Sequence, residues 1–183
     1  GEITFSNSNY ELNATASTRR LCSYVLQVNS ILCGTVAENL RIVKPDATDE
    51  EIINVLKLAG AWKFVSKMPE GINAKIGERN HNLSEGQAQR LAIARALVRA
   101  PGILILDDSS SALDYKTDAA LRTALLEECA DMTVITVAQR VSSVRSCDLI
   151  LVIDDGRISA MGTHEELLLS CQYYRDTAKS QMG

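Results

Sequence analysis

No glycine in this 183-residue chain is followed by lysine, and the pattern G-x-x-x-x-G-K-[ST] occurs nowhere in it. That pattern builds a loop whose backbone N–H groups wrap a triphosphate while its lysine reaches the outer phosphates. Any nucleotide chemistry in this stretch therefore has to rest on other residues. No apolar run approaches the length needed to span a bilayer. The opening Gly1-Glu2-Ile3-Thr4-Phe5 has neither the basic nor the apolar region of a secretory signal. Five cysteines (Cys22, Cys33, Cys129, Cys147, Cys171) are odd in number and never form C-x-x-C, which reads as reduced, packing thiols rather than a disulfide framework or a metal site. His81 and His164 are far apart, so they add nothing to a metal reading. Excess positive charge is also lacking. A net charge of −4 and a pI near 5.2 argue against a nucleic-acid surface.

What is present is ordinary globular composition, 46% hydrophobic and 23% charged, at a length that fits one domain with a subdomain. The pattern is mixed α/β, without repeats or low-complexity linkers. Cys22 to Leu26 reads as a short strand. Thr48-Asp49-Glu50-Glu51 is a capping box opening a helix through Ala59, with Ile52, Val55, Leu56 and Ala59 on one face. Ser84 to about Val98 reads as a second helix, ended near Pro101-Gly102. Ile103 to Leu106 reads as a strand buried on both faces of a parallel sheet. Leu113 to Cys129 reads as helix, and Thr133 to Val137 and Leu149 to Ile153 as two more buried strands. Asp154-Asp155-Gly156 predicts a hairpin turn, and Thr163-His164-Glu165-Glu166 a capped terminal helix. Strands alternating with helices predict a doubly wound sheet.

Three segments carry chemistry. In Leu83-Ser84-Glu85-Gly86-Gln87, Ser84 and Gln87 form a capping box, and the helix end they open favours anions. Ile103-Leu104-Ile105-Leu106 is followed by Asp107 and Asp108. Acids at the C-terminal end of a buried strand stand where ligands bind in open α/β sheets. Gln27 ends the strand that starts at Cys22.

In this order and at this spacing, with Ser111-Ala112-Leu113-Asp114 following, these segments resemble the nucleotide-binding domain of an ABC transporter. Leu83 to Gln87 resembles the signature loop, with Glu85 in place of a glycine, and Ile103 to Asp108 resembles Walker B. Gln27 resembles the Q-loop glutamine. The following Leu32-Cys33-Gly34-Thr35-Val36-Ala37-Glu38-Asn39-Leu40 and Ala74-Lys75-Ile76-Gly77-Glu78-Arg79-Asn80 are similar to exporter segments, Asn80 standing for the usual glycine. Val134 to Arg140 resembles the switch region, with Gln139 in place of the histidine.

The resemblance implies an α/β fold: a RecA-like P-loop NTPase core (residues 1–33 and 101–183), without its Walker A segment, carrying an inserted α-helical signature subdomain (residues 34–100). It implies MgATP as cofactor in the full-length parent, with Asp107 and Gln27 toward Mg²⁺, Asp108, Gln139 and Gln27 as catalytic positions, and Ser84, Glu85, Gly86, Gln87 and Asp114 as nucleotide contacts. Ser84 and Gly86 would serve a nucleotide held by a second domain. Active members carry glutamate where Asp108 stands. The aspartate carboxylate falls short by roughly 1.3 Å, and displacements near 1 Å can cost about 100-fold in rate. Gln139 can donate a hydrogen bond but cannot carry charge or shuttle a proton near neutral pH. Together these resemble the degenerate half of a heterodimeric exporter, whose partners are a transmembrane domain and a second nucleotide-binding domain at the cytoplasmic face of the membrane. His164 belongs to a capping box, without catalytic duty. The chain is expected to begin just downstream of the phosphate loop and to leave an apolar strand edge there. Two rival readings are a non-catalytic module lending its signature loop to a partner, and a repair-type ATPase head. The compact spacing from Gln27 to Leu83 disfavours the latter.

Overall fold

A computed structural model describes residues 1–6, 9–27, 31–77, 82–109 and 111–182. The chain forms two compact units, Gly1–Ile135 and Thr136–Gly183. In the first, strands β1 (Thr4–Ser6) and β2 (Glu11–Asn13) pair antiparallel. Strand β3 (Cys22–Val25) pairs parallel with β6 (Ile103–Asp107), in the register Cys22–Ile103 through Val25–Leu106. Strand β7 (Thr133–Val137) completes a sheet of order β3-β6-β7.

Between β3 and β6 lies a helical stretch: α1 (Val36–Arg41), α2 (Asp49–Leu58), the short α3 (Trp62–Val65) and α4 (Glu85–Leu97), with the small β4 (Gly34–Thr35) and β5 (Lys75–Ile76) paired antiparallel. Helix α5 (Tyr115–Glu128) follows β6. The helix starts follow from local chemistry. Thr35 with Glu38, Thr48 with Glu51, and Ser84 with Gln87 each form a reciprocal capping box that satisfies otherwise orphaned N–H groups. The core runs from Val25, Leu104 and Leu106 of the sheet through Leu40, Ile52, Leu56, Leu91 and Ile93 of the helices to Leu121 and Leu125 of α5. As expected, Ile52, Leu56 and Ala59 are buried together.

In the second unit, β8 (Ile150–Asp154) and β9 (Arg157–Gly162) form an antiparallel hairpin. Its two-residue turn, Asp155-Gly156, has φ of 45° and 73°, the left-handed pair that a tight hairpin requires. Helices α6 (His164–Ser170) and α7 (Gln172–Met182) bury Leu167, Tyr174 and Ala178 against Ile150 and Val152.

Two expectations need correction. Leu104 and Leu106 are buried, but Ile103 and Ile105 on the opposite face of β6 are only half-buried. Of the two strands read as further buried ones, β7 has no buried residue and β8 is buried only on the face of Ile150 and Val152. In β7, Ile135 is 47% and Val137 53% exposed, and β8 pairs, among the described residues, only with β9. Apolar runs signal a strand that belongs under cover. They do not supply the covering layer, and in this chain one face of each strand has none.

Candidate functional site

The C-terminal ends of β3 and β6 lie side by side because the strands are parallel and in register. Gln27 follows β3 and Asp107 is the last residue of β6, with Asp108 next. The Gln27 Nε2 donates to Asp108 Oδ2 at 3.0 Å, joining two residues 81 positions apart. The Tyr24 hydroxyl donates to Asp107 Oδ2 at 2.5 Å. This bond above all, then burial and the carboxylate's charge, raises Tyr24 above the ordinary phenol value.

Asp108 adopts a left-handed backbone, φ 44°, which aspartate tolerates better than most residues. Its carbonyl is held by Ser111, through the hydroxyl at 2.7 Å and the amide at 3.2 Å. The chain thus turns sharply after the paired acids and runs through Ala112 and Leu113 to Asp114. Asp114 is the N-cap of α5, accepting from the Thr117 amide at 2.9 Å and the Thr117 hydroxyl at 2.7 Å. The Thr117 hydroxyl first, then the backbone amides, lower the Asp114 carboxyl below its usual value.

The start of α4 packs on that same turn, a β-carbon at Gly86 meeting the Ala112 carbonyl oxygen at 2.8 Å. Ser84 and Gln87 form the expected box: the Gln87 amide donates to Ser84 Oγ at 3.2 Å, and the Ser84 amide to Gln87 Oε1 at 2.8 Å. With Oγ accepting, the Ser84 hydroxyl proton remains available to a ligand. Ser84 and Glu85 are exposed. Arg90, one turn on, donates to the Gly86 carbonyl at 3.1 Å and the Gly60 carbonyl at 2.9 Å, and stacks over Phe64. Burial lowers its guanidinium from the ordinary value, and the Asp114 charge offsets part of that.

Gln139 lies in the second unit, exposed, two residues past β7. Its carbonyl accepts from Gln181 Nε2 at 2.9 Å, while Gln181 Oε1 accepts from the Val141 amide at 2.8 Å. One side chain of α7 therefore clamps the turn that carries Gln139. His164 Nδ1 bonds the Tyr174 hydroxyl at 2.9 Å, within the helical pair α6 and α7. The Glu78-Arg79-Asn80 segment lies outside the described residues.

The structure brings Gln27, Asp107 and Asp108 together, and sets the Ser84 to Gln87 turn against the segment between Asp108 and Asp114. Sequence reading did not find Tyr24, Arg90 or Gln181. Tyr24 had a usable signal, a hydroxyl on the strand ending at Gln27. Gln181, 42 positions from Gln139, had none.

Among the described residues no group of three or more His, Cys, Asp or Glu side chains is placed to hold a metal. Two adjacent carboxylates at a strand end suit magnesium, which takes one or two carboxylates and completes its shell with phosphates and water. They do not suit a metal held by protein ligands alone.

Comparisons with known proteins agree with this geometry. The family described as "ABC transporter" matches residues 1–111, which include every motif up to the paired acids. An export ATP-binding/permease protein of Rickettsia felis is 41% identical over 182 residues, covering 100% of this chain and 32% of that protein. The cyclolysin secretion/processing ATP-binding protein of Bordetella pertussis is 36% identical over 183 residues, 100% of this chain and 26% of that protein. A solved bacterial Atm1-family ABC exporter with ATP bound superposes with a TM-score of 0.86 at 32% identity, over 91% of this chain and 30% of that one. A parallel sheet with paired acids at its strand ends and a capped helix set against them defines an α/β nucleotide-binding fold of the P-loop NTPase kind. The chain belongs to the ABC transporter family. It spans about a third of the length of the first curated relatives it matches.

Proposed function

We propose that this chain serves, within an export ATPase, as one of two nucleotide-binding domains that couple MgATP binding and hydrolysis to transport through a transmembrane domain. The observation that carries the reading is the cluster of Gln27, Asp107 and Asp108 at adjacent parallel strand ends in a chain of this family. Magnesium supplies charge neutralisation of the phosphates when bound. Asp107 would hold it, with Gln27 close by, while Asp108 orients the attacking water and Gln139 donates toward the outer phosphate. In this reading residues 34–100 form the helical subdomain inserted into a core of residues 1–33 and 101–183. Such a domain works at the cytoplasmic face of the membrane.

Asp108 and Gln139, in place of glutamate and histidine, support a catalytically weak half in a heterodimer. Its Ser84, Glu85, Gly86, Gln87 and Asp114 then act on the nucleotide of the partner domain. The test is Ser84→Arg and Ser84→Ala in the reconstituted pair, comparing ATPase rate with melting temperature. Arginine places bulk against the phosphate and is expected to abolish turnover. Loss of the cap alone costs about 1 kcal/mol of stability. If both rates merely track the melting temperatures, Ser84 is only a helix cap and the trans role fails. Asp107→Asn should remove magnesium-dependent turnover at its own site, and unaltered turnover would defeat the magnesium assignment.

A further inference from the structure

We propose that the Tyr24 hydroxyl is a positioning group for Asp107, fixing the carboxylate that meets the magnesium of bound ATP. This rests on the nucleotide reading above and adds a residue to it.

The argument begins with register. Tyr24 pairs with Ile105 across the parallel strands. Side chains alternate along a strand, so Asp107, two residues past Ile105, lies on the same face of the sheet. The phenol therefore runs along that face from β3 to the end of β6, where its oxygen meets Asp107 Oδ2 at 2.5 Å. Ser23 and Val25, the neighbours of Tyr24 on β3, are buried on the other face. Leu26, on the way to Gln27, offers no donor. The hydroxyl takes one carboxylate oxygen and leaves Oδ1 for the ion or its water.

Tyr24 is half exposed, at 50%. A buried tyrosine in such a place could be explained by packing. An exposed one that spends its hydroxyl on an acid, at a strand end where the acid has a ligand to hold, is better explained by the acid. Neighbouring Asp108 is held in parallel fashion by Gln27, so one side chain of β3 and one just past it orient the last residue of β6 and the acid that follows it. Groups that hydrogen-bond to a ligating carboxylate fix its orientation, and losing one commonly costs 10–100-fold in metal affinity.

The test uses the intact exporter carrying this chain, with a non-hydrolysable ATP analogue bound and Mn²⁺ as the magnesium probe, read by electron paramagnetic resonance. Tyr24→Phe should weaken Mn²⁺ binding by about tenfold while its melting temperature stays near that of the parent. Tyr24→Leu, which also removes the ring, should weaken Mn²⁺ binding to a similar degree. Unchanged Mn²⁺ affinity in Tyr24→Phe overturns the proposal. Tighter binding overturns it too, because the hydroxyl would then be competing with the ion. A loss of affinity matched by a large fall in melting temperature assigns Tyr24 to structure alone. If the parent fails to bind the analogue at all, the nucleotide reading falls and takes this inference with it. If parent and variant both bind the analogue with equal Mn²⁺ affinity, only the role of Tyr24 falls.

Discussion

Gly86 and Ala112 approach so closely that a β-carbon on the glycine would sit 2.8 Å from the alanine carbonyl oxygen. The first turn of α4 and the segment leaving Asp108 therefore form one packed unit, with a backbone atom as the obstacle. Backbone yields less readily than the end of a flexible side chain. In an open helix, Gly→Ala gains up to about 1 kcal/mol. Forcing a methyl into a filled contact typically costs about 1–3 kcal/mol. The clash is expected to win. Gly86→Ala should lower stability in urea or thermal melts, and a variant more stable than the parent would show that the Ala112 segment moves aside freely.

Asp108 combines an unusual backbone with a short side chain. At φ 44° the position suits aspartate better than the longer glutamate. Asp108→Glu in the intact exporter is therefore expected to raise ATPase activity at this site only modestly, since Gln139 still cannot carry charge. Asp108→Glu combined with Gln139→His should give a clearly larger rise. Full turnover from the single change would remove Gln139 from the account.

Asp114 gives the chain a pH-dependent element. Its carboxyl is lowered in the folded state by the Thr117 hydroxyl and by backbone amides. A group with a lowered folded-state value contributes stability that is complete above its unfolded value and is lost as pH falls through the folded one. Asp114→Asn keeps a capping side chain but does not titrate. Compared with the parent between neutral pH and pH 3, it should melt with a flatter acid limb. Parallel acid limbs would show that the Asp114 bonds contribute nothing to folding.

Much of this was legible in the sequence because it is local. Three of the capped helix starts, at Thr48, Ser84 and Thr163, follow from residues three positions apart. The position of Asp107 at a strand end follows from four apolar residues before it. The box at Thr35 with Glu38 went unread although its spacing is the same. What the sequence could not supply was lateral. Whether Tyr24 faces Asp107, 83 positions away, depends on the register between their two strands. The exposure of Ile135 and Val137 depends on what lies over β7, which no pattern within β7 encodes.

Gln89 is the last point of tension. It sits within α4, fully buried, and among the described residues neither polar atom of its side chain has a hydrogen-bond partner. Leaving a buried polar group unsatisfied costs about 1–3 kcal/mol, whereas an apolar side chain of similar shape escapes that cost. Methionine matches the length of glutamine and adapts to its cavity. Gln89→Met is therefore expected to raise the melting temperature of the isolated chain. The same change in the intact exporter separates two origins. If stability rises there as well, the amide is unsatisfied in the working protein. If stability rises only in the isolated chain and falls in the exporter, the amide meets a partner supplied by the rest of the assembly. A fall in both would mean that Gln89 is satisfied within this chain, contrary to the geometry described.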